Sequence, residues 1–184
     1  MSTSPELPSP PQEAHEVTRV AIVGSMGVGK STVATLVARR LSVPVVDSDS
    51  WIEEAVGTNA RAFALREGVA SLHRLEQRML KDTIAGPGSF VLTPAASIVD
   101  DPECRDLLAS MSLVVWLDPD PHLAHRRAIG GIHRRSITLD EYLTLHDRRR
   151  RWFAKVADLR LTGDEEPDEL AEAVVARLTG RHRV

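Results

Sequence analysis

Two rhythms of apolar residues alternate along this chain. Short apolar runs at 20–23, 44–46, 90–93, 113–117 and 159–162, the last interrupted by Arg160, are rich in valine and leucine. Between them lie longer segments at 31–41, 49–56, 61–66, 71–84, 102–110, 121–128, 140–154 and 167–178, where apolar positions return every three or four residues. The first rhythm predicts buried strands and the second predicts helices. Their alternation predicts an α/β fold whose five candidate strands run parallel in a sheet. Ligands of such sheets gather beyond the carboxyl ends of the strands, so the residues that follow each strand carry the candidate chemistry.

The first of these stretches is the most telling. Gly24, Ser25, Met26, Gly27, Val28, Gly29, Lys30, Ser31 and Thr32 satisfy the phosphate-loop pattern G-x-x-x-x-G-K-[ST], between a strand and a helix as that pattern requires. Glycines let successive backbone N–H groups turn inward around phosphates, and the following helix aims its positive end at the same anion. Lys30 then reaches the β- and γ-phosphates of a nucleoside triphosphate, and the Ser31 hydroxyl ligates Mg²⁺. Lysine occurs only at 30, 81 and 155, which makes its presence here more pointed.

After the second strand come Asp47 and Asp49, which in an extended chain point the same way. A Mg-ATP enzyme needs one carboxylate near the metal and can use another to orient or deprotonate an acceptor hydroxyl. The plain alternative is a helix cap, with Asp49 ahead of Ile52 and Glu53.

Composition adds limits. A chain of 184 residues, 42% hydrophobic with net charge −3, suits one domain and argues against nucleic acid or an anionic membrane as partner. No apolar run reaches membrane-spanning length, and the lone Cys104, expected to pack in the core, fits a reducing cytoplasm. Residues 1–17, with Pro5, Pro8, Pro10 and Pro11, read as a disordered tail without the apolar stretch of a signal peptide. The run Arg148, Arg149, Arg150 and Arg151 reads as a solvated helix face, a phosphate or substrate grip at Arg149, or a nucleic-acid stripe.

The phosphate loop, then Val46, Asp47, Ser48, Asp49, Ser50, Trp51, Ile52 and Glu53 with Gly57 behind, resembles the shikimate kinases. The likeness continues at Arg66–Gly68, Glu76, Val114–Asp118, Val156–Asp158 and Pro167–Leu170, and spans about residues 18–178. It implies a three-layer P-loop kinase fold with a five-stranded parallel sheet, a mobile lid and a small helical substrate-binding subdomain between the second and third strands. It further implies ATP and Mg²⁺, a small hydroxylated metabolite as acceptor, and a cytoplasmic monomer. By the same resemblance Gly24, Gly27, Val28, Gly29, Lys30, Ser31 and Thr32 hold the nucleotide, and Asp47 stands near Mg²⁺. Asp49 binds the acceptor hydroxyl and serves as base, Arg149 grips a substrate carboxylate, Arg127 and Pro167 flank adenine, and Arg134 closes from the lid, with Arg135 in place of the family's proline.

Two departures fall on the acceptor side. The family has arginine where this chain has His73, and an imidazole lacks the permanent charge and two-pronged donation of a guanidinium. Arg74 lies about 100° away around a helix and is a poor substitute. The family also ends its third strand in Thr-Gly-Gly-Gly, whereas here stand Thr93, Pro94, Ala95 and Ala96, which lose an N–H and disfavour positive φ. Phosphorylation of shikimate is the expectation. Kinases of another polyol, a cyclitol or a sugar acid such as gluconate, and a nucleotide-binding protein that acts by interaction, stay open beside it.

Overall fold

Along β1 (Arg19–Val23), Val20 and Ile22 face one side of the sheet while Ala21 and Val23 face the other, all of them buried. A strand can be apolar on both faces only if helices cover both, and they do. The computed structural model describes residues 17–129, 137–163 and 165–181. Its sheet has the order β2-β3-β1-β4-β5, with every neighbouring pair parallel. β3 (Phe90–Thr93) and β4 (Leu113–Leu117) flank β1 and are wholly buried. The edges are short: β2 (Val45–Asp47) and β5 (Leu159–Leu161) have three residues each.

On one face lie α1 (Lys30–Leu41) and α8 (Pro167–Arg181), whose Val33, Val37, Leu170 and Val174 cover Val20, Ile22 and Val115. On the other lie α4 (Val69–Ala85), α5 (Pro102–Ala109) and α7 (Leu139–Val156), which bring Met79, Leu80, Leu108 and Phe153 against Val23, Leu92 and Trp116. Each such aliphatic or aromatic side chain contributes about 1.5–3 kcal/mol on burial. Between β2 and β3, α2 (Ser48–Val56) and α3 (Ala60–Glu67) close with α4 on a smaller core of Ile52, Ala60 and Leu72. This is the helical subdomain the resemblance implies. α6 (Pro121–Ile129) leads away from β4.

The pattern located every one of these elements and misplaced some ends. β2 starts at Val45 and runs into Asp47, which pairs with Thr93. Pro44 has no N–H to donate to a ladder, so it stands outside the strand. A 3₁₀ turn over Ala96–Asp100 was not foreseen, because five residues are too few to show a period. Cys104 packs at the base of α5, and burial pushes its thiol up to about 12, so it is a core residue. Apart from Val17, the Pro/Ser-rich tail lies outside the described residues, as do Arg134 and Arg135. Among the described residues no helix is long and apolar enough to cross a membrane.

Candidate active site

All five strands end on the same edge of the sheet, and the phosphate loop leaves β1 there. Gly27 is fixed by space: a Cβ on it would lie 2.1 Å from the carbonyl oxygen of Ala124 in α6, and its φ is 76°. Gly29 is fixed by conformation, with φ 94° at the cap position of α1. That helix start has no side-chain cap and no acidic residue in its first turn, so its positive end faces the cleft uncompensated. Lys30 folds back over the loop, and its Nζ donates to the carbonyls of Gly24 at 3.0 Å and Ser25 at 2.9 Å. Val28 buries its side chain in the core beneath.

Asp47 is the hub on the opposite wall. Its Oδ2 accepts from Ser31 Oγ and from Thr93 Oγ1, each at 2.6 Å, while Oδ1 accepts from the amides of Asp49 and Ser50 at 2.9 and 3.4 Å. The residue that caps α2 is therefore Asp47, and Asp49 sits inside the first helical turn. The two carboxylates are not consecutive same-face positions of an extended chain; the turn from β2 into α2 brings both into one cleft. Burial alone would raise the Asp47 pKa, but the two hydroxyls and two amides outweigh it and hold it below its ordinary 3.8.

A sign follows for stability. A carboxyl held below its unfolded value stabilises the fold fully above about pH 4, and that contribution drains as pH falls through the lower folded value. In Asp47→Asn the amide group cannot accept both hydroxyl donors at the Oδ2 position. We expect this variant to be less stable at pH 7 by about 2 kcal/mol and to converge with the native protein as pH falls below the lowered Asp47 value, as read by urea denaturation.

Helix α7 supports the loop from below. A capping box of Thr138 and Glu141 starts it, and Tyr142, His146 and Arg149 then fall on one face at four- and three-residue spacing. The Tyr142 hydroxyl donates to Met26 O at 2.7 Å, and His146 Nδ1 lies 3.3 Å from Ser25 Oγ. Burial pushes the Tyr142 phenol up to about 12, which keeps it a donor. Neither side chain was singled out from the sequence, although the T-x-x-E cap and the spacing after it were a usable signal.

The cleft has a volume of about 380 Å³ and gathers Gly27, Gly29, Lys30, Ser31, Thr32, Asp47, Asp49, Thr93, Pro94, Ala96 and Arg127. Pro94, Ala95 and Ala96 take no strain, since Ser42 is the single non-glycine residue with positive φ among the described residues. Pro167 does not line the cleft; it opens α8 beside Asp168, which pairs with Arg40 at 2.6 Å. His73 is half-buried and lines a separate cavity of about 190 Å³ with Gln77, Ser97 and Asp100. Arg74 is exposed and donates to Ser71.

The arginine run is not a simple solvated face. Arg149 donates twice to Asp100 Oδ2, at 3.0 Å from Nε and 2.8 Å from Nη2, and Arg148 donates to the same oxygen at 2.8 Å. Arg150 lies 3.6 Å from Asp118, and Arg151 stacks over Trp152. Asp100, which nothing in the sequence pattern marked, thereby holds the residue expected to grip substrate.

As for metal, Ser31 Oγ and Asp47 Oδ2 stand 2.6 Å apart as hard oxygen donors, which suits Mg²⁺ shared with phosphate oxygens. Among the described residues no cluster of three or more His, Cys, Asp or Glu side chains offers a metal cage of its own.

A strand, phosphate loop and helix at the centre of a parallel sheet, with a carboxylate at the end of the edge strand two places away, define a small P-loop kinase. The profile of the family described as shikimate kinase matches residues 26–179. A shikimate kinase of Symbiobacterium thermophilum is 31% identical over 151 residues, covering 79% of this chain and 86% of that one. The crystal structure of shikimate kinase from Aquifex aeolicus superposes with a TM-score of 0.79 at 26% identity, over 90% of this chain and 99% of that one. The shikimate kinase from Acinetobacter baumannii in complex with shikimate gives 0.86 at 21% identity, over 92% and 97%, a likeness of fold. The chain belongs to the shikimate kinase family.

Proposed function

We propose that this protein transfers the γ-phosphoryl group of ATP to a hydroxyl of a small polyhydroxylated metabolite, as a shikimate kinase does. The observation that carries the reading is one cleft holding Lys30 on the phosphate loop, the Ser31–Asp47 pair, and Asp49 facing them. Lys30 exchanges its carbonyl partners for the β- and γ-phosphates when nucleotide enters. Ser31 and Asp47 hold Mg²⁺, which when bound neutralises charge on those phosphates. Asp49 orients the acceptor hydroxyl in line and takes its proton as the new O–P bond forms and the bridging P–O bond to ADP breaks. In this reading Arg127, at the rim on α6, meets the adenine ring, and Arg134, which lies outside the described residues, closes over the phosphates. The net charge of −3 and the engaged arginines of α7 support small molecules, not nucleic acid, as partners. A cytoplasmic monomer is part of the same reading.

One observation favours an acceptor other than shikimate: His73 stands where the resemblance places an arginine, and Asp100 already engages Arg149. The test is ADP release with ATP and Mg²⁺ over shikimate, gluconate and a neutral cyclitol such as myo-inositol. Turnover on at least one acceptor, at least about a hundredfold above ATP hydrolysis alone, is expected from a positioned base and nucleophile. ATP binding without turnover on any acceptor would instead favour a nucleotide-binding protein that acts by interaction.

A further inference from the structure

The 3₁₀ turn Ala96–Asp100 separates two spaces. Ala96 faces the nucleotide cleft, while Ser97, Ile98 and Asp100 line the cavity of about 190 Å³ beside α4. That second cavity is polar, with His73, Gln77, Ser97, Asp100 and Asp101 around it, and among the described residues no lysine or arginine lines it. Its charge is acidic. Asp101 accepts from Gln77 Nε2 at 3.3 Å and caps α5 through the Cys104 amide at 3.0 Å. Glu76, 1% exposed, accepts from Ser97 Oγ at the base.

The guanidinium next in the network is Arg149, whose side chain is 12% exposed, and its Nε and Nη2 edge is already engaged by Asp100. Charge-assisted guanidinium–carboxylate bonds are about twice as strong as neutral ones, and Arg148 adds a third such bond to the same oxygen. The two arginines hold the Asp100 carboxyl below its ordinary value, so it is ionised wherever the enzyme works, even though burial alone would raise it. An entering carboxylate meets two like charges and must compete with Asp100 for Arg149. A hydroxyl meets neither obstacle, because it donates to a carboxylate or an imidazole and accepts from an amide.

We propose that Asp100 determines specificity by taking the place of a substrate carboxylate on Arg149, so that the acceptor is an uncharged polyol or cyclitol. This rests on the kinase reading and sharpens its acceptor class.

The test compares shikimate with methyl shikimate, which keeps the ring and hydroxyls but loses the negative charge. Each is titrated calorimetrically into the full chain with ADP and Mg²⁺. The native protein is expected to bind the ester at least about tenfold more tightly, and Asp100→Asn and Asp100→Ala to shift that ratio about tenfold toward the acid. Circular dichroism checks that the variants are folded, and the native comparison decides the matter alone if they are not. The proposal is overturned if the native protein binds the acid as tightly as the ester, or binds neither. It is equally overturned if a folded variant leaves the ratio unchanged. ADP release separates this from the parent reading: turnover that prefers the acid sinks the neutral acceptor and keeps the kinase. Ester-selective binding with no turnover on any acceptor sinks the kinase and keeps the role of Asp100.

Discussion

Lys30→Ala is expected to lower kcat/KM for ATP by about a thousandfold or more. The residue heads α1 at the point where the loop amides, the helix start and the ammonium group converge on one volume. A preorganised cation at the transferring phosphoryl group is worth about 3–4 kcal/mol in the transition state, and nothing else in the described cleft can supply it from that position. The cleft's other cation, Arg127, belongs to α6 at the rim. The fold survives the substitution, because Lys30 donates to two loop carbonyls and is not part of the apolar core. Single-turnover kinetics and ATP titration check the outcome. Normal ATP affinity in the variant would remove the loop from nucleotide binding altogether.

Asp49→Asn is the second large effect. The side chain sits one residue past the start of α2 and faces the loop across the cleft, while its own amide donates to Asp47. Asparagine keeps the volume and that backbone bond but cannot take a proton. The expected result is a fall in kcat of about a hundredfold to ten-thousandfold, with KM for ATP changed by less than about threefold. Equal losses in kcat and in ATP affinity would show that Asp49 shapes the nucleotide site and does not act on the acceptor.

How far the sequence could be read depended on the range of the interaction. The phosphate loop is specified within nine consecutive residues by steric and dipolar demands that leave a fixed spelling, so it was legible before any fold. The central strands were legible because burial on both faces forces unbroken apolar runs. Asp47 and Asp49 were read to the right place with the wrong geometry, since which of them caps α2 is decided by one residue of strand length. Arg149 and Asp100 are 49 residues apart, joined across a turn too short to have a period, and no local rule predicts that such a pair will meet. Pro167 was carried over by likeness alone and does not line the cleft.

Helix α7 touches both halves of the chemistry. Tyr142 holds the phosphate loop, and Arg149, seven residues on, holds Asp100, so a stiff rod keeps the two contacts about 10 Å apart along its axis. Each contact belongs to a different turn of that rod, and neither needs the other to form. The enzyme therefore has a common chassis with two sockets. On the proposed role of Asp100, changes on the 96–100 turn and on α4 would refit that socket for another acceptor, while the Tyr142 bond to Met26 keeps its grip on the phosphate loop.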